Sequence, residues 1–219
     1  MAVSIINKIL FFICFPCVLI AQQLSSIELN RCETQAKQVT IIRDNWGIPH
    51  IYGKTDADAV FGLLYAQCED DFPRIELNYI EKLGRLAEIK GESMLYNDLE
   101  IRLLIDSSEA INDFKKAEPW LKKLLIAYAD GINFYLKTHP SVKPTLLTHF
   151  EPWYPLLWTD GSIGAINTAD LSVAELKNFY SGDNKLSYAP PKDIEHQTGS
   201  NGFAIAPSKT ASGNAIFSA

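Results

Sequence analysis

Hydrophobic and polar positions along the chain change their spacing several times, and each spacing predicts a different element. Val39-Thr40-Ile41-Ile42 and Ile48-Pro49-His50-Ile51-Tyr52 are two strand-like runs on either side of Asp44-Asn45-Trp46-Gly47. That centre is turn chemistry, so the pair reads as a hairpin, with Pro49 confined to an edge or a strand start. From Thr55, an N-cap residue followed by Asp56 and Asp58, helical spacing runs to about Cys68 with a small-residue face at Gly62 and Ala66. Asp71-Phe72-Pro73 reopens a helix whose Ile75, Tyr79, Leu83 and Leu86 form a core stripe. Helices are further predicted over Leu95–Ile105 and from Pro119 to about Leu136. In the second of these, Trp120, Leu124, Tyr128, Gly131 and Tyr135 share one face. Pro140 to Pro144 breaks it, Glu151-Pro152-Trp153-Tyr154-Pro155 is a rigid aromatic loop, and a last helix is expected over Asp160–Tyr180.

Two stretches depart from this globular pattern. At the start, Lys8 precedes the apolar run Ile9–Ala21, and Gln22-Gln23 turns polar. A basic residue, a short apolar stretch and a small residue at the switch describe a secretory signal peptide cleaved after Ala21. The run falls short of the ~20 apolar residues of a membrane span. Near the end, Ser181–Thr198 carries Gly, Asn, Ser and a Pro-Pro pair with almost no apolar periodicity, which reads as a linker and a natural place for a protease cut. Strand-like runs at Phe203–Ala206 and Ala215–Ser218 follow it.

Removing the leader takes Cys14 and Cys17 with it and leaves Cys32 and Cys68, for which a bridge and a buried thiol at Cys68 are both open. A net charge of −6 excludes the basic footprint of a nucleic-acid binder. No later segment is apolar enough for a membrane partner.

Between linker and strand stands Gly199-Ser200. As an ordinary loop string it carries no chemistry. If the bond before Ser200 is cut, one residue supplies both a nucleophilic hydroxyl and an α-amine of pKa about 8 to act as its base. Other candidates favour structure. Asp70 and Asp71 are adjacent and point apart, so capping is their expected job. His50 reads as structural, and His139, His149 and His196 share no metal spacing. Trp153, Tyr154 and Trp158 are expected as packing anchors rather than a pocket.

The run from Val39 to Glu88 resembles the opening of the penicillin acylase family, which includes penicillin G, aculeacin-type and acyl-homoserine-lactone acylases. The resemblance is carried by Arg43-Asp44 with Gly47 and Pro49, by Phe61-Gly62 and Ala66, and by Glu69-Asp70-Asp71 through Glu76. It continues in Gly84 with Ala87-Glu88 and in Tyr128-Ala129-Asp130-Gly131-Ile132-Asn133. Gly199-Ser200-Asn201 is similar to the family's β-chain start, and Pro207-Ser208 to Ser212-Gly213 to the hairpin after it. Asp71 stands where the family often has arginine, and Pro73 replaces a larger residue. Glu69–Phe72 and Tyr79-Ile80 are closer to the aculeacin and lactone-acylase side than to the penicillin side.

What the resemblance implies is an α+β N-terminal-nucleophile hydrolase with a four-layer αββα sandwich, of which this chain holds the mostly helical α chain and the first β-chain hairpin. The expected division is signal peptide 1–21, α chain 22–180, spacer 181–199 and β-chain start 200–219. Ser200 is then the nucleophile toward a small-molecule acylated amide, the chain's own β chain is its partner, and the chemistry needs no cofactor. Glu175 aligns roughly with a glutamate that binds structural calcium in penicillin G acylases. Oxyanion donors are expected beyond residue 219, so this chain alone is expected to be inactive and to fold poorly. A secreted helical binding protein and a decayed acylase gene are the alternatives.

Overall fold

The computed structural model describes residues 24–157, 171–182, 203–211, 213–214 and 216–218. The expected leader, most of the spacer, Gly199 and Ser200 lie outside them.

Helix α1, Ser26–Ala36, opens on a capping box in which Ser25 Oγ accepts from the Glu28 amide and Glu28 accepts from the Ser25 amide. Strands β1 (Val39–Arg43) and β2 (Pro49–Gly53) form the expected antiparallel hairpin, with Ile41 opposite Ile51. Helix α2, Asp56–Lys82, starts on a second capping box, Thr55 with Asp58. It is two rods joined at Asp71, whose φ of −159° and ψ of 67° leave the helical region. This is the break anticipated from sequence. Asp71 Oδ1 accepts from the Arg74 amide at 3.2 Å and caps the second rod, in which Pro73 needs no donor.

Short helix α3 (Ala87–Lys90) and a 3-10 turn at Glu92–Met94 lead into α4 (Leu95–Leu104), α5 (Ser107–Lys116) and α6 (Pro119–Thr138). After a 3-10 turn at Tyr154–Leu157 comes α7, Val173–Ser181. Residues 160–170 of the single helix expected over Asp160–Tyr180 lie outside the described residues, and the expectation is corrected at residues 171–172, which are not helical. Ser172 is extended (φ −116°, ψ 152°) and its hydroxyl accepts from the Glu175 amide, so a new helix begins there. Strands β3 (Phe203–Ile205) and β4 (Ile216–Ser218) close the chain as an antiparallel ribbon. The described residues are thus mostly helical with two small antiparallel ribbons, an α+β pattern.

The core lies where α2 crosses α6 beneath the 145–157 loop. Leu64, Cys68, Phe72, Tyr79, Ile80, Ile132, Tyr135, Phe150 and Leu157 are buried there. A smaller cluster of Cys32, Phe61 and Ala127 joins α1 to the same pair. Glycine sets two approaches. A Cβ on Gly131 would lie 2.5 Å from the Phe61 carbonyl oxygen, and one on Gly62 would lie 2.6 Å from Val39 Cγ1. The first lets α6 reach α2, and the second lets the hairpin lie on α2. On α6 the expected face is only partly right: Tyr135 and Gly131 are buried, but Trp120 is exposed and the buried stripe includes Leu125, Ala129 and Ile132. Cys32 and Cys68 are unpaired and buried, which settles the open choice in favour of core thiols.

Candidate functional site

The ribbon that follows Ser200 is formed as expected, pairing Phe203 with Ser218 and Ile205 with Ile216. Its connection is closed by Thr210, whose hydroxyl lies 3.0 Å from the Pro207 carbonyl and 2.7 Å from that of Asn214. Gly213 turns the chain at φ +69°, a conformation that favours glycine. Gly199 and Ser200 themselves, with His196 and Trp158, are outside the described residues.

Glu175 lies in the first turn of α7. One carboxylate oxygen, Oε2, accepts from both the amide and the hydroxyl of Ser172 at 2.8 Å. Those bonds hold its carboxyl below the usual carboxylate range. Calcium takes six to eight oxygens, and among the described residues no group of three acidic, histidine or cysteine side chains stands together. Within the described residues Glu175 caps the start of α7.

The residues that carry the family resemblance converge on architecture. Arg43 reaches from β1 to the joint of α2, donating to Glu69 at 3.0 Å, to the Ala66 carbonyl at 3.3 Å and to the Gly47 carbonyl at 2.9 Å, and pairing with Asp70 at 2.8 Å. Glu76 is buried, and its carboxylate accepts the amides of Thr145, Leu146 and Leu147 at 2.9, 2.7 and 2.9 Å. Asn133 pairs with Phe150 through both its amide groups, each at 2.8 Å. Asp130, buried on α6, takes a two-pronged bond from Arg31 at 2.6 and 2.7 Å. Asp98 accepts the amides of Leu86 and Ala87, both at 2.7 Å, and caps α3 from α4.

Among the described residues, His50, His139, Trp153 and Tyr154 are structural too. His50 Nε2 lies 3.2 Å from Asp44, which also accepts the Trp46 and Ile48 amides and orders the turn. His139 stacks on Tyr135 with ring centres 4.3 Å apart. Tyr154 packs edge-on against Trp153 and Phe150, as anchors do.

Two concavities escaped the sequence reading. A groove of about 1000 Å³ lies between α1 and the starts of α2 and α6, with Gln35, Ala57, Trp120, Lys123 and Leu124 among its walls. A smaller one of about 340 Å³ is lined by Tyr79, Tyr128, Gln67 and Asn78. There the Tyr79 hydroxyl donates to that of Tyr128 at 2.7 Å. Only the exposed Trp120 beside Lys123 and Leu124 could have signalled the first.

With this arrangement in view, similarity to known proteins is informative. A 90-residue stretch is 34% identical to the penicillin acylase 2 proenzyme of Pseudomonas sp. (strain SE83), covering 41% of this chain and 12% of that protein. A 94-residue stretch is 34% identical to acyl-homoserine lactone acylase QuiP of Pseudomonas fluorescens (strain Pf0-1), covering 43% and 12%. A third, of 70 residues, is 29% identical to penicillin G acylase of Escherichia coli, covering 32% and 8%. The matches thus span about an eighth or less of these curated relatives. Among solved structures, a thermostable penicillin G acylase from Alcaligenes faecalis matches with a TM-score of 0.45 at 19% identity, covering 66% of this chain and 74% of that one. The family model for penicillin amidase matches residues 38–219, from the first residue before β1 to the end of the chain. The chain belongs to the penicillin amidase family.

Proposed function

We propose that this chain is the leading part of an exported acylase precursor in which Ser200 becomes an N-terminal nucleophile once the bond after Gly199 is cleaved. The observation that carries the reading is the continuity of the family match across Gly199-Ser200, with a paired ribbon beginning three residues later. In this reading residues 1–21 direct export, 22–180 form the helical α chain, 181–199 are a spacer and 200–219 begin the β chain. Its partner is the rest of that β chain.

The substrate is an acylated amine, the class to which the relatives' names point. Ser200 Oγ attacks the amide carbonyl carbon while the freed α-amine takes the hydroxyl proton, through a water. The tetrahedral intermediate collapses, the C–N bond breaks, and the leaving amine accepts that proton. Water then attacks the acyl-serine ester by the same route, releasing the acid and restoring the hydroxyl. No cofactor enters these steps. Charge on the carbonyl oxygen needs fixed N–H donors, which we place in the partner chain, so the 219 residues alone are inactive.

Mass spectrometry of the product of the complete reading frame tests this. A chain beginning at Ser200, absent from the Ser200→Ala variant, is expected, and an uncut wild-type product refutes the reading. Turnover of an acylated amide by the 219-residue chain alone would refute the division of labour between the two chains.

A further inference from the structure

The smaller concavity, of about 340 Å³, is walled by Gln67, Ile75, Asn78, Tyr79, Tyr128 and Pro155. Gln67 lies on the first rod of α2, and Ile75, Asn78 and Tyr79 lie on the second, so the hollow spans the break at Asp71. Its polar groups are left over from the fold. Two hydroxyls joined by one hydrogen bond use one of their two protons. Tyr79 donates to Tyr128 at 2.7 Å, and the Tyr128 proton has no acceptor among the described residues. The carboxamides of Gln67 and Asn78 have no hydrogen-bond partner there either. Glu76 and Asn133, on the same two helices, are by contrast spent on the 145–150 loop. Burial pushes both tyrosine hydroxyls above the ordinary phenol range, so the pair stays neutral and keeps its proton to donate.

We propose that this hollow is a binding site for a small neutral carboxamide carried on a flat apolar ring. The carboxamide oxygen accepts the Tyr128 proton, and its N–H groups donate to the side-chain carbonyls of Gln67 and Asn78. The walls carry no charged side chain, so a carboxylate or an ammonium group would shed water with no counter-charge to meet it. Solvent water competes for the three polar groups, so an occupant must reproduce those bonds, which a bare hydrocarbon ring does not. Ile75, Pro155 and the Tyr79 ring supply the apolar contact. The volume stands at the low end of ligand pockets, about 300–1,000 Å³, and suits one ring rather than a long acyl chain. An occupant bonded to both Gln67 and Asn78 ties the two rods of α2 together.

Neither cleavage nor turnover enters this chemistry, and the test removes both. In the full chain carrying Ser200→Ala, 4-azidobenzamide is photolysed and its adducts are mapped by mass spectrometry. Adducts are expected within residues 67–79 or at Tyr128 and Pro155, suppressed by excess benzamide but not by benzoate or toluene. Asn78→Leu and Tyr128→Phe should each lower that yield about fivefold, the worth of one neutral hydrogen bond, with an unchanged helical circular-dichroism signal. Tyr128→Phe also strips Tyr79 of its acceptor, whereas the Asn78 side chain bonds nothing in the described fold, so Asn78→Leu reads the site even if the tyrosine variant loses helix. Absence of adducts at these positions, suppression by benzoate equal to that by benzamide, or full yield in Asn78→Leu would each overturn the proposal.

Discussion

Gly131→Ala is the substitution for which helix propensity and packing give opposite signs. In an isolated helix alanine is favoured over glycine by about 1 kcal/mol, so on local grounds α6 should gain. At the crossing, however, the new Cβ would stand 2.5 Å from the Phe61 carbonyl oxygen and 3.0 Å from Leu64 Cβ. A tolerable carbon-to-oxygen contact is about 3.3 Å, so α2 and α6 must part by most of an ångström. The obstructing oxygen is backbone and cannot rotate away. Overpacking of this kind costs about 1–3 kcal/mol, and a rigid neighbour argues for the upper end. After the propensity gain, the net loss is about 2 kcal/mol. With a urea slope of about 2 kcal/mol/M for a domain this size, the midpoint should fall by roughly 1 M. Urea unfolding followed by helical circular dichroism measures it. A midpoint equal to or above wild type would mean that the crossing has slack and that Gly131 is not what lets the helices meet.

Glu76→Gln should cost about 2–4 kcal/mol in the same assay, because an NH₂ group then faces one of three buried or half-buried amides that now share a carboxylate. An effect below 0.5 kcal/mol would show that the 145–147 loop holds without it. Burial pushes the Cys32 and Cys68 thiols up to about 12. At pH 8 both should therefore resist iodoacetamide in the native protein and react in denaturant; native labelling at either would refute the packing. Because those values are raised, the stability linked to them is intact below the unfolded thiol's pKa of about 8.5 and falls as pH climbs toward 12. Asp44 has the opposite sign: its bonds to His50 and to the Trp46 and Ile48 amides lower its pKa. The turn should keep that contribution above about pH 4 and lose it as pH falls through the native value. Amide exchange at Ile48 across pH 2–5 should report the loss, and a flat profile would contradict it.

Much of the frame was legible because its signals are local. Asp44–Gly47 marks the hairpin, Thr55 marks the start of α2, and Asp71-Phe72-Pro73 marks its joint, including the departure from the family's usual arginine. Helices α1 and α5 were missed because each buries one small residue, Cys32 and Ala110. In both, apolar positions are few among polar ones, and caps mark the starts: Ser25 with Glu28, and Asp106 before Ser107; in α5 the spacing of Ala110 and Phe114 was a further signal. The clamps at Glu76 and Asn133 were invisible as clamps. Their partners lie about 70 and 17 positions away in a loop with no periodicity. What the sequence did offer was a glutamate set into an apolar stripe. For the site, residue type and order single out Ser200, while its surroundings depend on contacts that no local pattern encodes.

The joint in α2 also fixes how direction is passed along the molecule. An unbroken helix of that length would be a single lever of about 40 Å. Interrupted at Asp71, it becomes two arms of roughly 22 and 16 Å meeting at an elbow. Arg43 grips the chain at Ala66, Glu69 and Asp70, on the last turn of the first arm. The hairpin is thereby indexed to the elbow, and a change in its bend would swing the hairpin relative to the aromatic core without breaking a contact inside either arm.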